Sequence, residues 1–419
     1  MKPSRSSPSR AAVLGALLAV YATSPGQTFV LSGFTDALGA SPDSAKAGLD
    51  LSAQQLSGSY LVGTLLSAAC LTHAGKAADR IGPRRMIALA GLGLALAGVL
   101  FSNVRGIVTL TGAFFLLRFT GQGILSLASS HALALRFDAR LGSVEGLRGA
   151  TLSLAVATAP LIAVATIAQG GWRQAAWILP VCAGALAVFA AYGLLDPDPT
   201  PAPDEGAQEK APGARLRAPK GHSLAEARRT PAFWTLVGCA TFNAAFITAV
   251  HFHLQAILRP RGMDEVAAAA TFVPYAVSGA ALTLAGGALV DRYAAGPVLG
   301  CGMLLVGSGG LAAGLTSEPW AAHLGMALLG AGSGLGTAVY APTLARFFGR
   351  AHHGAIRGAS GTLAVAGSAA GPFVLSGLAA VPSQDFGSAL LFTSAVAFPF
   401  AWAAFRLRAP KANVTSPAR

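Results

Sequence analysis

Twelve apolar runs, most of them close to twenty residues long, set the terms for this 419-residue chain. A helix needs about 20 mainly apolar residues to cross the hydrocarbon of a bilayer. Within lipid, only helices and closed barrels satisfy every backbone group. The first six runs lie near 11–34, 53–74, 86–102, 107–136, 148–168 and 174–195. The second six lie near 232–257, 266–289, 297–315, 320–347, 356–378 and 388–405. Only 11% of the residues are charged and 53% are hydrophobic, whereas a soluble domain carries about 25% charged residues. The pattern predicts an all-α integral membrane protein with twelve transmembrane helices.

The net charge of +13 is distributed as membrane topology requires, not as a nucleic-acid face. With the N-terminus inside, five bases (Lys46, Arg105, Arg173, Arg259, Arg261) fall outside and Arg118 falls within a span. The remaining 24 of 30 lie on the cytoplasmic side, the side to which Lys and Arg are biased. A multi-pass cell-membrane protein is expected, a bacterial inner membrane being the natural setting, with both termini cytoplasmic. It has lipids rather than nucleic acid as surroundings. The run after the opening "MKPSRSSPSR" is too long for a cleaved signal and reads as a retained first helix. Cys70, Cys182, Cys239 and Cys301 fall singly in apolar segments and read as small packing residues.

Residues 196–231 are rich in proline and mixed charge and read as a cytoplasmic linker. Ser223 and Glu226 near its end have the spacing of a capping box. The linker divides the chain into a six-helix bundle over 1–195 and a second over 232–405, followed by a cytoplasmic tail, 406–419. Three fragments recur across this divide. "GKAADR" (75–80) is echoed by "GALVDR" (287–292), "LALRFDAR" (133–140) by "TLARFFGR" (343–350), and "GLRGAT" (146–151) by "AIRGAS" (355–360). Their offset is nearly constant at about 210 residues. Parallel repeats of this kind build transporters around a site near the bilayer midplane.

"GKAADRIGPRR" (75–85) resembles the G-x-x-x-D-R-x-G-R-R motif of the major facilitator superfamily, in its expected place between helices two and three. "RFTGQG" (118–123) resembles that superfamily's second motif in helix four. "RFFGRAHHGAIRGASG" (346–361) and "GSAAGP" (367–372) are similar to the oxalate/formate and monocarboxylate transporters. The resemblance implies two pseudo-symmetric six-helix bundles rocking around a central cavity lined by helices one, four, seven and ten. It also implies that Gly75, Asp79, Arg80, Gly82, Arg84 and Arg85, with their echo Asp291 and Arg292, form a cytoplasmic gate. The drug-antiporter motif G-x-x-x-G-P is poorly matched by "AVATAP" (155–160) in helix five.

Arg118 is the most informative single residue. A charge at mid-membrane costs at least about 2.5–3.5 kcal/mol on insertion scales, so it should face a cavity and a partner. All 17 acids fall in loops, tails or the linker by these boundaries. The counter-ion is then either an incoming anion or a set of helix carbonyls. "ATSPGQTF" (22–29) breaks helix one at Pro25, which leaves Ser24, Gln27 and Thr28 as candidate ligands or as parts of a packing kink. Gln122 and Asn243 are polar candidates with helix–helix hydrogen bonds as the alternative. His251, His253 and His131 are possible proton relays; the i, i+2 spacing of the first two argues against a shared metal. Glycine runs such as "GAGSGLG" (330–336) read as packing surfaces, and no nucleotide loop is present.

The expected function is secondary active transport by alternating access, with no cofactor and no metal. The cargo is a small organic anion, a mono- or dicarboxylate, moved by proton coupling or anion exchange, and the carrier is expected to be a monomer. The alternative is a proton-coupled efflux transporter for a neutral or amphipathic compound, with Arg118 tuning coupling. An enzyme lacks convergent nucleophile, base or metal ligands here, and a sensor lacks an added soluble domain.

Overall fold

The computed structural model describes residues 10–39, 49–137, 141–197, 221–315, 318–349 and 352–410. Among these residues the chain is helical, with isolated bridges and no sheet. Helix α1 comprises Arg10–Gly26 and Thr28–Leu38, bent by 43°. It is followed by α2 (Ala53–Ile81), α3 (Pro83–Ser102) and α4 (Ile107–Ala134). Ser143–Leu194 is a 52-residue stretch, enough for two crossings at about 1.5 Å per residue. Gly171, at φ 76°, breaks it into α5 (141–170) and α6 (171–194). The second half contains α7 (Pro231–Phe252), α8 (Glu265–Arg292), α9 (Ala295–Leu315), α10 (Pro319–Phe348), α11 (His353–Ala379) and α12 (Phe386–Phe405). Among the described residues, nine stretches are long and apolar enough to cross a membrane, and the bent α1 makes ten. The double-length stretch supplies two crossings, and α2, although 29 residues long, is too polar to pass the same test. Twelve helical crossings result.

Three expectations change. The charged stretch 75–85, left between the expected runs 53–74 and 86–102, is mostly helical. Helix α2 continues to Ile81, and the reversal is concentrated at Gly82, with Pro83 opening α3. Gly82 sits at φ 83°, a region glycine enters without steric cost, and proline suits the first turn of a helix. Lys76 and Arg80 are carried on the last turns of α2, where long basic side chains reach for the interface. Asp36 is not in a loop. It lies in the terminal turn Thr35–Leu38 of α1, and Asp79, Glu145, Glu265 and Asp291 likewise fall in end turns of α2, α5 and α8. Helix α7 ends at Phe252, and residues 254–258 form a separate short helix.

The expected capping box is formed. Ser223 accepts from the Glu226 N–H and the Glu226 carboxylate accepts from Ser223, opening the short helix Leu224–Arg228. These bonds hold the Glu226 carboxyl below the usual carboxylate range, the bond from the Ser223 backbone contributing most. Residues 198–220 of the linker and the tail beyond 410 lie outside the described residues.

Close helix contact rests on small residues. A methyl group added to Gly26 would lie 2.3 Å from the Leu117 carbonyl oxygen, so α1 meets α4 backbone to backbone. The same operation at Gly371 would meet the Ala245 carbonyl at 2.0 Å, joining α11 to α7. Leu92, Val277 and Trp402 project from the outer surface, where lipid chains solvate them. The halves touch through α2 with α11, α5 with α8, and α1 with α7. Gly26→Ala should destabilise the protein by about 1–3 kcal/mol through overpacking. Gly112→Ala, where nothing lies within 4 Å, should be neutral or slightly stabilising. Thermal unfolding of the purified variants in detergent measures both.

Candidate functional site

The break in α1 frees an acceptor at membrane depth. Proline 25 has no N–H, and the N–H groups of Val30 and Leu31 both turn to the Gln27 carbonyl. The Gly26 carbonyl then accepts from Arg118 Nη1 at 3.4 Å, and Thr28 Oγ1 accepts from the same nitrogen at 3.2 Å. Arg118 is 3% exposed, and its Cζ stands 5.0 Å from the centre of the Tyr60 ring. The Tyr60 and Thr28 hydroxyls are 2.7 Å apart. Nε of Arg118 has no hydrogen-bond partner. Arg118 opens a π-helical segment, Arg118–Leu125, within α4, a distortion common at functional sites. Gly121, one turn on, provides the surface into which Gly26 fits.

Arg118 borders a cavity of about 790 Å³ lined by α2, α4 and α11, including Thr64, Ser67, Gln122, Thr362 and Ser368. Gln122 also borders a recess with Ser130, His131 and Arg148. A second cavity of about 440 Å³ lies among α5, α8 and α10 and includes Tyr275, Ser333 and Thr337. The lining of both extends from mid-helix toward the face that carries Arg10, Gly82 and Arg292, here called the basic face. Helices α1 and α7, expected to line the cavity, act one layer deeper. The Ser24 hydroxyl donates to the Tyr21 carbonyl at 2.6 Å. Gln27 donates to Thr23 Oγ1. Asn243 donates to Ser333 Oγ at 3.0 Å, and its Oδ1 is buried without a partner.

His251 is not at an open mouth. It is 6% exposed, edge-on to Phe272 and Tyr275, with Nε2 unpartnered. His253 instead meets the Pro372 carbonyl at 2.9 Å, so the two imidazoles face different neighbours.

On the opposite face the halves are sealed in three layers. The innermost is aromatic: Tyr60 of α2 packs on Phe252 of α7 at 4.7 Å, and Phe29 of α1 on Phe272 of α8 at 6.4 Å. Next, Ser57 and Ser376 hydroxyls meet at 2.7 Å, and Ser376 donates to Gln54 Oε1 at 2.8 Å. Outermost, Arg259 Nη1 reaches Asp36 Oδ2 at 3.4 Å. Arg259 is 52% exposed, so this pair orients the halves more than it stabilises them, contributing about 0–1 kcal/mol. Tyr60, Ser57, Ser376 and Asp36 were not among the expected site residues. Their only sequence signal is polarity inside or at the end of an apolar run.

At the basic face Arg84 and Asp291, two of the expected gate residues, bond within their own halves. Arg84 donates to the Ala191 carbonyl at 2.9 Å and stands over the Tyr192 ring. Asp291 accepts from Arg346 at 2.6 Å, so the echoes "GALVDR" and "TLARFFGR" touch. Gly75 lines the cavity, and Arg80, Arg85 and Arg292 are exposed. The side chain of Asp79 lies outside the described residues.

A cavity entered from one face, a three-layer seal at the other and repeated halves are the marks of one conformer of an alternating-access carrier. The family model described as Major Facilitator Superfamily matches residues 12–372. The chain belongs to the major facilitator superfamily. It is therefore a multi-pass secondary transporter, not an enzyme. Its fold is similar to a bacterial homolog of the human lysosomal transporter Spinster in an inward-facing, unoccupied conformation, with TM-score 0.67, 16% identity, and 97% and 98% of the two chains covered. The inward-facing, occupied form of that homolog matches with TM-score 0.64 and 15% identity, over 95% and 93% of the chains. None of the curated proteins matches the sequence. For this superfamily member the seal predicts a specific cross-link. Cysteines placed at Ser57 and Ser376 should form a disulfide under mild oxidant, detected as a linked peptide by mass spectrometry, whereas the wild-type cysteines give none.

Proposed function

We propose that this transporter carries a small organic anion, a mono- or dicarboxylate, and that Arg118 is its anion site. The observation that carries the reading is a buried guanidinium with an unpartnered Nε, bordering the cavity, with no carboxylate among its partners. Its two bonds leave from one nitrogen at 3.2 and 3.4 Å, longer than the roughly 2.7–2.9 Å of a good charge-assisted bond. A carboxylate entering the cavity is a better partner than either. Gln122 lies one turn away on the same wall and supplies a neutral hydrogen bond. The similarity of residues 346–372 to the oxalate/formate and monocarboxylate branch supports the same cargo class.

The positive-inside bias places the basic face in the cytoplasm, which makes this conformer inward-open. Asp79, Arg80, Arg84, Arg85, Asp291 and Arg292 then form the gate that engages when the carrier turns outward; Arg84 and Asp291 bond within their own halves here. A second reading has its own support. Leu65, Ala68, Leu71, Leu127 and Val365 give the cavity an apolar wall suited to a neutral or amphipathic compound.

Proteoliposome uptake of labelled formate, lactate, oxalate and succinate, with and without a pH gradient, tests the proposal. At least one should accumulate. Arg118→Ala should lower its uptake about 100-fold or more, the scale of stranding a buried charge partner, and Arg118→Lys should retain an intermediate rate. Uptake of none, or equal uptake by Arg118→Ala, rules out the anion reading. The gate is tested separately: Asp79→Ala should insert and fold normally yet transport poorly, and wild-type rates from it would remove Asp79 from the mechanism.

A further inference from the structure

We propose that Tyr60 is a positioning residue that ties the charge on Arg118 to closure of the opposite face. The inference rests on the anion reading only for what delivers the signal; the coupling itself belongs to the ligand-free protein. Tyr60 is 0% exposed and is touched from three other helices. Its hydroxyl meets Thr28 of α1 at 2.7 Å, and the Arg118 guanidinium of α4 stands 5.0 Å from the ring centre. The ring packs at 4.7 Å on Phe252 of α7, which belongs to the other half. Phe114 of α4 meets it edge-on at 5.9 Å.

The physical link is short. Thr28 Oγ1 is shared, accepting from Arg118 while paired with Tyr60. The cation over the ring holds Tyr60 in the orientation that meets Phe252. Neutralising that cation removes the attraction to the ring face and frees Thr28, so Tyr60 is no longer pinned against the second half. Phe29, the residue after Thr28, forms the other aromatic contact of the same layer with Phe272. Loss of charge at Arg118 therefore favours opening of the opposite face. A bound anion acts in the same sense, so occupancy and gate opening are linked through one aromatic ring.

The test uses the full chain in nanodiscs, with the four native cysteines replaced by alanine. Spin labels at Arg105→Cys and Val381→Cys, both exposed on the opposite face, report the ratio of open to closed conformers. Arg118→Gln should raise that ratio about three- to tenfold, within the range a cation over an aromatic face commands. In a Tyr60→Leu background the same change should move the ratio less than about twofold. Tyr60→Phe, which keeps the ring, should preserve most of the Arg118 effect, and Arg118→Lys should keep the face closed. An Arg118→Gln shift that persists in full on Tyr60→Leu overturns the proposal, as does no shift at all. If Tyr60→Leu is not monodisperse, Phe252→Leu removes the far side of the relay and carries the same expectation. No ligand is added, so the result stands apart from the uptake assays that test the anion reading.

Discussion

The buried guanidinium of Arg118 is the constraint around which the inner structure is arranged. A charge at this depth needs partners that lipid does not supply. Helix α1 provides them by breaking at Pro25–Gly26, which releases the Gly26 carbonyl from helical bonding and brings Thr28 within reach. Helix α4 answers with a π-helical segment and with Gly121, which admits the broken backbone at van der Waals contact. Tyr60 completes the enclosure from α2. Even so, the guanidinium is left under-bonded, with Nε unpartnered. On the proposed reading, this incomplete satisfaction leaves room for an incoming anion.

The same cluster explains why the two faces differ. Tyr60 and Phe29 extend from the Arg118 enclosure to Phe252 and Phe272 of the other half, and the hydroxyl and ion-pair layers continue outward from them. The cavity lies on the other side of this floor, along helix halves whose polar groups bond within their own half. The first-half and second-half gate residues are likewise satisfied locally, Arg84 by Ala191 and Asp291 by Arg346. Arg346 and Asp291 are both largely exposed, so exchanging that pair for contacts across the halves costs little. A carrier needs such near-balance between conformers.

Much of this was legible in the chain itself. Run lengths gave the helices, the repeats gave the two halves, and the Pro-Gly pair in an apolar run gave the break in α1. Arg118 stood out because a base inside a span is costly wherever it packs. The misplaced details have physical causes. Helix α2 was drawn too short because charged residues on its last turns look like a loop, although long basic side chains carry their charge to the interface. Asp36 was assigned to a loop because the apolar run stops at Phe34 while the helix continues to Leu38. The seal was invisible because its pairs join residues far apart in the chain: Tyr60 with Phe252, Ser57 with Ser376, Asp36 with Arg259. Nothing local in the sequence encodes such pairings.

If Arg118 is the anion site, a carboxylate must bind the folded protein and lose that binding with the guanidinium. The most direct measurement is the melting temperature of the purified protein across a titration of each candidate carboxylate, because a ligand bound only to the native state stabilises it by RT ln(1 + [L]/Kd). The account predicts a saturable rise for the wild type with at least one carboxylate and no rise for Arg118→Gln. The same saturable rise in both proteins would contradict it.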